Sequence, residues 1–318
     1  MAGLTVRTFR RQGNHRRQWA RVQTRRSVLH VSGPEWKRIN GRSEVISKSE
    51  EENTMKKVIS KDGTAIAFDK SGNGPVIILV CAAFQTRSDP MMSQLASLLS
   101  PHFTVFNYDR RGRGDSGDTA SYAVEREVED IEALINEADG SAFVFGMSSG
   151  GVLALEASRK LAIAKLALYE PPFIVDNTRP PLPKDYLKQL KELTTSGRRG
   201  DAVEYFLTKA AGVPADFVAP MRSAPFWPAM EDVAHTLVYD GTIMGDTMSG
   251  NPLPAERWSS VSIPALVVGG GASPEYQQNA VKALVDRLPN AKLHIMEGQD
   301  HNVAPDFLAP VLTDFFSK

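Results

Sequence analysis

The chain has 318 residues, of which 42% are hydrophobic and 23% charged, and its formal net charge is zero. This is the composition of an ordinary globular protein, and the length fits one large domain or two smaller ones. No apolar run reaches the roughly 18–20 residues that a membrane span requires, and a single cysteine excludes an internal disulfide framework. Neither CxxC nor HExxH spacing is present, so we expect no metal site. The single cysteine and the lack of a long apolar run favour a cytoplasmic protein without a membrane partner, and we expect no cofactor.

Positive charge is concentrated in residues 1–54, which carry 12 lysines and arginines against 5 acidic residues. The segment lacks the apolar core of a secretion signal. It resembles a transit peptide only loosely, and a basic arm that binds nucleic acid is an alternative. We interpret it as a poorly ordered extension that arises from a misassigned start upstream of Met55. The remaining chain is net acidic, which gives no reason to expect nucleic-acid binding.

The acidic run just before Met55 supports this hypothesis. Glu50, Glu51 and Glu52 can be encoded as GAG GAG GAG, which contains the ribosome-binding sequence GGAGG. The nucleotide sequence tests the idea, because GAA codons would remove its support.

From residue 55 onward the pattern alternates between strands and helices. Two strands flank Asp62-Gly63, a hairpin signal, and the apolar run PVIILVCAAF has the length of a buried strand. Strands that alternate with helices form a mostly parallel sheet covered by helices on both faces. In chain order, the further predicted elements are helix 91–99, strand 104–108, a helix around 124–135, strand 142–145, helix 152–161, strand 164–169, strand 263–268, a helix around 280–288, strand 291–296 and helix 305–316.

Residues 171–258 interrupt this alternation. The segment begins with several prolines and then contains the helical patterns DYLKQLKEL and DAVEYFLTKAA. We therefore expect residues 55–318 to form one α/β domain with a helical cap at about 171–258.

The segment VFGMSSGG, at residues 144–151, lies between a predicted strand and a predicted helix. Gly146-x-Ser148-x-Gly150 matches a nucleophile elbow, a tight turn that presents a serine at the carboxyl end of a strand. The start of the following helix offers unpaired N–H groups, so we assign Ser148 as nucleophile and the amide of Ser149 as an oxyanion donor. A glycine-rich phosphate-binding turn is the alternative, but neither GxGxxG nor GxxxxGK[ST] is present.

A serine nucleophile requires a base. Of the six histidines, His301 lies between the last predicted strand and the last predicted helix, at the sheet edge that carries the elbow. We assign His301 as the base; a surface histidine in a polar loop is the alternative.

Three segments resemble motifs of the α/β-hydrolase fold family: GMSSG at the elbow, YDRRGRGDSGD at 108–118 and GQDHNVAP near the end. The resemblance covers residues 55–318 and implies a Ser–His–acid hydrolase with a helical cap. It implies that the segment after Asp109 shapes a loop and takes no part in catalysis. It further implies that a second oxyanion N–H comes from Ala83 or Phe84, after the third strand.

The acid departs from the family pattern. The resemblance places a carboxylate after the strand IPALVV, but Ser273 stands near that position. The best substitute is Glu170, at the end of strand 164–169. Asp300 and Glu275 are lesser candidates, and a dyad without an acid is the remaining alternative.

A serine nucleophile indicates acyl transfer, whereas the resemblance implies an aspartate nucleophile for dehalogenases and epoxide hydrolases. We expect hydrolysis of a neutral, moderately apolar carboxylic ester or lactone, with a small-molecule substrate as partner and neither nucleic acid nor membrane. Met147, Phe226 and Trp227 are candidate substrate contacts, and packing within the cap is the alternative for the aromatic residues. A cofactor-free haloperoxidase or perhydrolase and a non-catalytic ligand-binding protein remain as alternative functions.

Overall fold

A computed structural model describes residues 55–318, and the predictions for residues 1–54 lie outside the described residues. The strands are β1 (Met55–Ile59), β2 (Ala65–Ser71), β3 (Val76–Val80), β4 (Thr104–Tyr108), β5 (Ala142–Met147), β6 (Ile163–Tyr169), β7 (Ala265–Gly270) and β8 (Ala291–Met296). The helices are α1 (Pro90–Leu99), α2 (Val124–Glu137), α3 (Ser149–Ser158), α4 (Tyr186–Thr195), α5 (Arg199–Tyr205), α6 (Ala215–Met221), α7 (Trp227–Asp232), α8 (Leu237–Met244), α9 (Glu275–Val285) and α10 (Pro305–Ser317).

Across residues 55–318, the strands form one sheet in the order β1-β2-β4-β3-β5-β6-β7-β8. The pairs β1–β2 and β2–β4 are antiparallel, and all other neighbouring pairs are parallel. Buried residues of α1 and α10 pack against one face, and those of α2, α3 and α9 against the other. The predicted α/β fold, a mostly parallel sheet flanked by helices, is confirmed.

The first two strands are joined by the predicted turn. Gly63 has a φ of 88°, a conformation that glycine adopts without steric cost. Its N–H donates to the carbonyl of Ser60 at 2.9 Å, and the carboxylate of Asp62 accepts the N–H of Thr64 at 3.0 Å. The Asp-Gly pair therefore closes the hairpin as predicted.

The segment between β6 and β7 is largely helical and contains α4 to α8, which we call the helical insertion. A π-helical turn at Phe206–Ala210 extends α5, and a short 3-10 turn at Ala234–Thr236 precedes α8. The sequence predicts α4 and α5 but not α6, α7 or α8, which have only 6 to 8 residues each. Helices this short, with proline or glycine inside or at their start, show little helical periodicity.

The helical insertion has an apolar core of its own. Leu190, Val203 and Leu237 are buried in it. Ala83 and Phe84, from the loop after β3, pack against the same cluster, so the insertion contacts the main sheet domain at this loop. Within residues 55–318, no helix is both long enough and apolar enough to cross a membrane.

Candidate active site

Ser148 occupies a strained turn between β5 and α3. Its φ of 54° and ψ of −126° are unusual for a residue with a side chain, and such a conformation costs on the order of 1–3 kcal/mol. The N–H of Ser148 donates to the carbonyl of Tyr169 on β6 at 2.8 Å, which anchors the turn to the sheet. The turn presents the serine at the carboxyl edge of the sheet.

Two glycines make this turn possible. A β-carbon at position 146 would lie 2.6 Å from the carbonyl oxygen of Gly150. A β-carbon at position 150 would lie 2.3 Å from the carbonyl oxygen of Cys81. The absence of side chains at Gly146 and Gly150 therefore lets the start of α3 lie against both β5 and the loop after β3.

The structure brings Ser148, His301 and Glu170 together. The Nε2 atom of His301 lies 3.2 Å from the Oγ atom of Ser148, and its Nδ1 atom lies 2.9 Å from Oε2 of Glu170. Glu170 follows β6 and is buried, and its Oε1 atom accepts the N–H of Gly270 at 2.7 Å. One carboxylate oxygen is thereby fixed by the backbone, and the other faces the imidazole.

The two lesser acid candidates do not contact the imidazole. The carboxylate of Asp300 accepts the N–H of Asn302 at 2.8 Å, and Glu275 is exposed at the start of α9. Ser273, near the position where the resemblance places the acid, is buried, and its hydroxyl has no hydrogen-bond partner in the described chain.

Gln277 is a neighbour of the imidazole that the sequence did not indicate. The Nε2 atom of its side-chain amide lies 2.9 Å from Nδ1 of His301. When Nδ1 donates its proton to Glu170 it cannot accept from Gln277, so the amide of Gln277 then has to turn its oxygen toward the ring. The only sequence signal is that α9 directly follows the loop after β7.

The loop that carries His301 is held from two directions. The hydroxyl of Tyr169 donates to the carbonyl of Asp300 at 2.5 Å. Burial, together with the nearby carboxylate of Glu170, raises the pKa of Tyr169, so the phenol remains a donor at neutral pH. A β-carbon at Gly270 would lie 2.4 Å from the carbonyl of Gln299, so this glycine lets the loop lie against the end of β7.

The predicted oxyanion donors lie in two neighbouring segments. Ser149 is the first residue of α3, and the first N–H groups of a helix have no partner within it. Ala83 and Phe84 lie in the loop after β3, and their N–H groups donate to no acceptor within residues 55–318. The ring of Phe84 meets that of Phe206 from the helical insertion edge-on, with centroids 5.1 Å apart.

The segment after β4 builds a buried network of ion pairs. The carboxylate of Asp109 accepts the N–H groups of Arg87 and Asp115 at 2.7 and 2.9 Å. Arg110 and Arg113 are buried as well and form ion pairs with carboxylates of other elements. These contacts agree with the structural role predicted for the segment.

The chain was compared with families of known proteins and with solved structures. A model described as the alpha/beta hydrolase family matches residues 77–311. The chain belongs to the alpha/beta hydrolase family. This membership confirms the predicted family and places the protein among hydrolases.

Solved structures of other proteins show the same fold. An alpha/beta hydrolase from Sphaerobacter thermophilus DSM 20745 is 54% identical with a TM-score of 0.76, and the match covers 82% of this chain and 100% of that one. The enol-lactonase from Burkholderia xenovorans LB400 is 20% identical with a TM-score of 0.61, covering 83% and 100% of the two chains. The bromoperoxidase from Bacillus anthracis is 16% identical with a TM-score of 0.60, covering 83% and 100%.

The three predicted substrate contacts of this alpha/beta hydrolase lie in different surroundings. Met147 is buried at the end of β5, in the core on the α1 and α10 face. Trp227 is buried in the core of the helical insertion, and its indole N–H donates to Glu231 at 2.8 Å. Phe226 is 48% exposed at the start of α7. The position of Trp227 agrees with packing within the insertion, and contact of these residues with substrate stays a prediction.

Among the residues that the structure describes, no group of three or more histidine, cysteine, aspartate or glutamate side chains is arranged to hold a metal ion.

Proposed function

We propose that this alpha/beta hydrolase is a serine hydrolase that cleaves neutral, moderately apolar carboxylic esters or lactones. The observation that supports it is the continuous chain of contacts from Ser148 through His301 to Glu170, at 3.2 and 2.9 Å. A serine, an imidazole and a buried carboxylate in this order form the arrangement that activates a hydroxyl for acyl transfer.

The proposed reaction has two halves. His301 Nε2 takes the proton of Ser148 as Oγ attacks the substrate carbonyl carbon, and the N–H groups of Ser149 and of Ala83 or Phe84 stabilise the negative oxygen. The carbonyl then re-forms, the bond to the leaving oxygen breaks, and His301 gives its proton to that oxygen. Water repeats these steps on the acyl-enzyme and releases the carboxylic acid. The carboxylate of Glu170 stabilises the imidazolium in both halves.

The charges around the site favour a neutral substrate. Arg110 and Arg113 approach the loop after β3, but both guanidinium groups are buried, and they donate to Glu127, Asp240 and backbone carbonyls. A substrate carboxylate would have to compete with those partners. The aromatic contact between Phe84 and Phe206 places apolar surface beside the predicted oxyanion donors.

The test is labelling with a fluorophosphonate probe, followed by mass spectrometry of the modified peptide. We expect one label, on Ser148, that is lost in Ser148→Ala. The adjacent serine supplies the matched control: Ser149→Ala should still be labelled at Ser148. Absence of labelling in the folded wild-type protein would contradict the proposal and favour a ligand-binding protein without turnover.

A panel of esters and lactones of increasing acyl length then defines the substrate. Hydrogen peroxide should be included as a competing acceptor, because a perhydrolase would use the same acyl-enzyme. Peracid formation faster than hydrolysis would assign that activity instead. We retain the prediction of a cytoplasmic location, which fractionation of the native cells would test.

A further inference from the structure

Asp240 is a buried carboxylate that the proposed mechanism does not use. It lies on α8 in the helical insertion and is 2% exposed. Its Oδ1 atom accepts the hydroxyl of Ser149 at 2.8 Å and Nη1 of Arg110 at 2.7 Å. Its Oδ2 atom accepts Nη2 of Arg113 at 2.7 Å. Burial alone would raise the pKa of Asp240, but the charges of Arg113 and Arg110 lower it, so the group is ionised at neutral pH.

The two arginines continue from Asp240 to the loop after β3. Arg113 donates to the carbonyl of Ala82 at 2.5 Å and to that of Gln85 at 3.4 Å. Arg110 lies 3.5 Å from the carbonyl of Cys81. These carbonyls bracket the peptide units of Ala83 and Phe84, whose N–H groups are the second set of candidate oxyanion donors.

One carboxylate thus connects both halves of the proposed oxyanion hole. It holds the side chain of Ser149 directly, and through Arg113 it holds the backbone on either side of Ala83 and Phe84. The helical insertion supplies this carboxylate, although the donors themselves belong to the sheet domain.

We propose that Asp240 is a positioning residue that sets the spacing of the oxyanion donors. The inference rests on the proposed serine hydrolase function. According to this inference, the helical insertion does more than contact the loop after β3: through Asp240 it also fixes the geometry of the oxyanion hole. A displacement of about 1 Å at a catalytic group can cost about 10²-fold in rate, so loosening of this connection should affect turnover strongly.

The charge balance of the network supports a specific role. Arg110 pairs with Glu127 through two hydrogen bonds of 2.7 and 2.8 Å, in addition to Asp240. Arg113 has Asp240 as its only carboxylate partner in the described chain. Neutralising Asp240 therefore leaves the Arg113 guanidinium without a counter-charge beside the carbonyl of Ala82, where a shift reaches the oxyanion loop.

The chain offers a matched control for this experiment. Asp130 is equally buried and receives two hydrogen bonds from Arg111, at 2.8 and 2.7 Å. Arg111 belongs to the same segment as Arg113 but has no hydrogen bond to the loop after β3. Arg111 also keeps Asp62 as a second carboxylate partner, at 2.9 Å. Asp240→Asn and Asp130→Asn thus each replace a buried carboxylate that is bound to an arginine of this segment, and only the first touches the proposed oxyanion hole.

The experiment measures kcat, KM, the rate of fluorophosphonate labelling and amide hydrogen exchange for the wild type and both variants. We expect Asp240→Asn to lower kcat and the labelling rate by about 10²-fold, with KM changed by no more than a few fold. Hydrogen exchange over residues 81–85 should accelerate. Asp130→Asn should lose thermal stability but keep the wild-type kcat and the wild-type exchange over residues 81–85.

Equal kcat and equal exchange in the two folded variants would overturn the inference while leaving the proposed function intact. If the wild type itself is not labelled, the proposed function fails, and unchanged hydrogen exchange in Asp240→Asn would then reject the positioning role independently. If Asp240→Asn does not fold, Ser149→Ala removes only the hydroxyl contact. That variant should label several fold more slowly than the wild type, and an unchanged labelling rate would overturn the inference.

Discussion

Replacement of Glu170 by glutamine should invert the hydrogen bonding of His301 while keeping the shape of the site. In the wild type, Oε1 of Glu170 accepts the N–H of Gly270 at 2.7 Å, and Oε2 faces Nδ1 of His301 at 2.9 Å. In Glu170→Gln, the backbone N–H of Gly270 selects the amide oxygen as its acceptor. The new NH2 group must then point at Nδ1 of His301.

This orientation favours the wrong tautomer of the base. An amide donor at Nδ1 stabilises the imidazole that carries its proton on Nε2, which cannot accept the proton of Ser148 at 3.2 Å. Loss of the correct tautomer in a serine–histidine–aspartate triad costs about 10⁴-fold in kcat. We expect a loss of about 10³- to 10⁴-fold for Glu170→Gln, with little change in KM or in thermal stability.

Gln277 allows a direct test of whether catalysis requires a carboxylate beside Nδ1 of His301, whichever residue supplies it, or Glu170 itself. Its amide lies 2.9 Å from the same Nδ1 atom, so Gln277→Glu places a carboxylate within reach of the imidazole. The double variant Glu170→Gln/Gln277→Glu should recover at least about ten-fold of the lost kcat, because it restores an acceptor for the Nδ1 proton. Glu170→Gln/Gln277→Met, which removes the amide without adding charge, is the matched control and should not recover.

The assay is steady-state hydrolysis of an activated ester, together with the fluorophosphonate labelling rate, on variants shown to be folded by circular dichroism. Near wild-type kcat in Glu170→Gln would refute the role of the carboxylate. A double variant that is folded but no more active than Glu170→Gln, or no better than the methionine control, would refute the tautomer argument.

Three further predictions concern stability. The strained φ of 54° at Ser148 predicts that Ser148→Gly is more stable than Ser148→Ala by about 1 kcal/mol in urea unfolding; equal stabilities would show that the turn is not strained. At Gly150 an added β-carbon would lie 2.3 Å from a backbone oxygen, whereas at Gly117, which likewise lies outside the left-handed region, its nearest neighbour is a side-chain carbon at 3.4 Å. Gly150→Ala should therefore lose about 1–3 kcal/mol more than Gly117→Ala, and similar losses would contradict the close approach. Partial burial would raise the pKa of Asp62, but the hydrogen bond from Arg111 lowers it below the usual 3.8. The contact between Asp62 and Arg111 therefore stabilises the folded protein at pH values above the unfolded-state pKa of Asp62, and this stabilisation is lost as the pH falls below that pKa. Asp62→Asn should therefore lose less stability than the wild type between pH 6 and pH 3, by on the order of 1 kcal/mol, and parallel acid-unfolding curves would count against the pairing.

Local sequence patterns predict those parts of this protein that are determined by residues adjacent in the chain. The hairpin at Asp62-Gly63, the alternation of strands and helices and the glycine frame around Ser148 are each contained in a few consecutive positions. His301 is predicted because it follows the last strand, at an edge fixed by the parallel topology. Each of these features carries its signal in one segment.

Residues that act through long-range contacts carry no such signal. In the sequence, Asp240 is the single charged residue of a short apolar segment, LVYDGTIM. No adjacent residue indicates that it binds Arg110, Arg113 and Ser149. Trp227, in contrast, carries a sequence signal, but that signal has two interpretations. From sequence alone, an aromatic residue in an insertion could either contact substrate or pack within the insertion. Only the hydrogen bond to Glu231 and the burial of the side chain in the insertion core show that Trp227 has the surroundings of a packing residue.

The sheet order explains why the acid can follow β6 although the resemblance places it after β7. The two strands are parallel neighbours and end at the same edge, beside the loop that carries His301. The N–H of Glu170 donates to the carbonyl of Val268 on β7, and its carboxylate accepts the N–H of Gly270. Nδ1 of His301 is consequently within hydrogen-bond distance of a side chain that follows β6 and of Gln277, which follows β7. A carboxylate at position 170, after β6, or at position 277, on the helix after β7, can meet the same ring nitrogen, so moving the acid between these positions requires no change in the position of the base or the nucleophile.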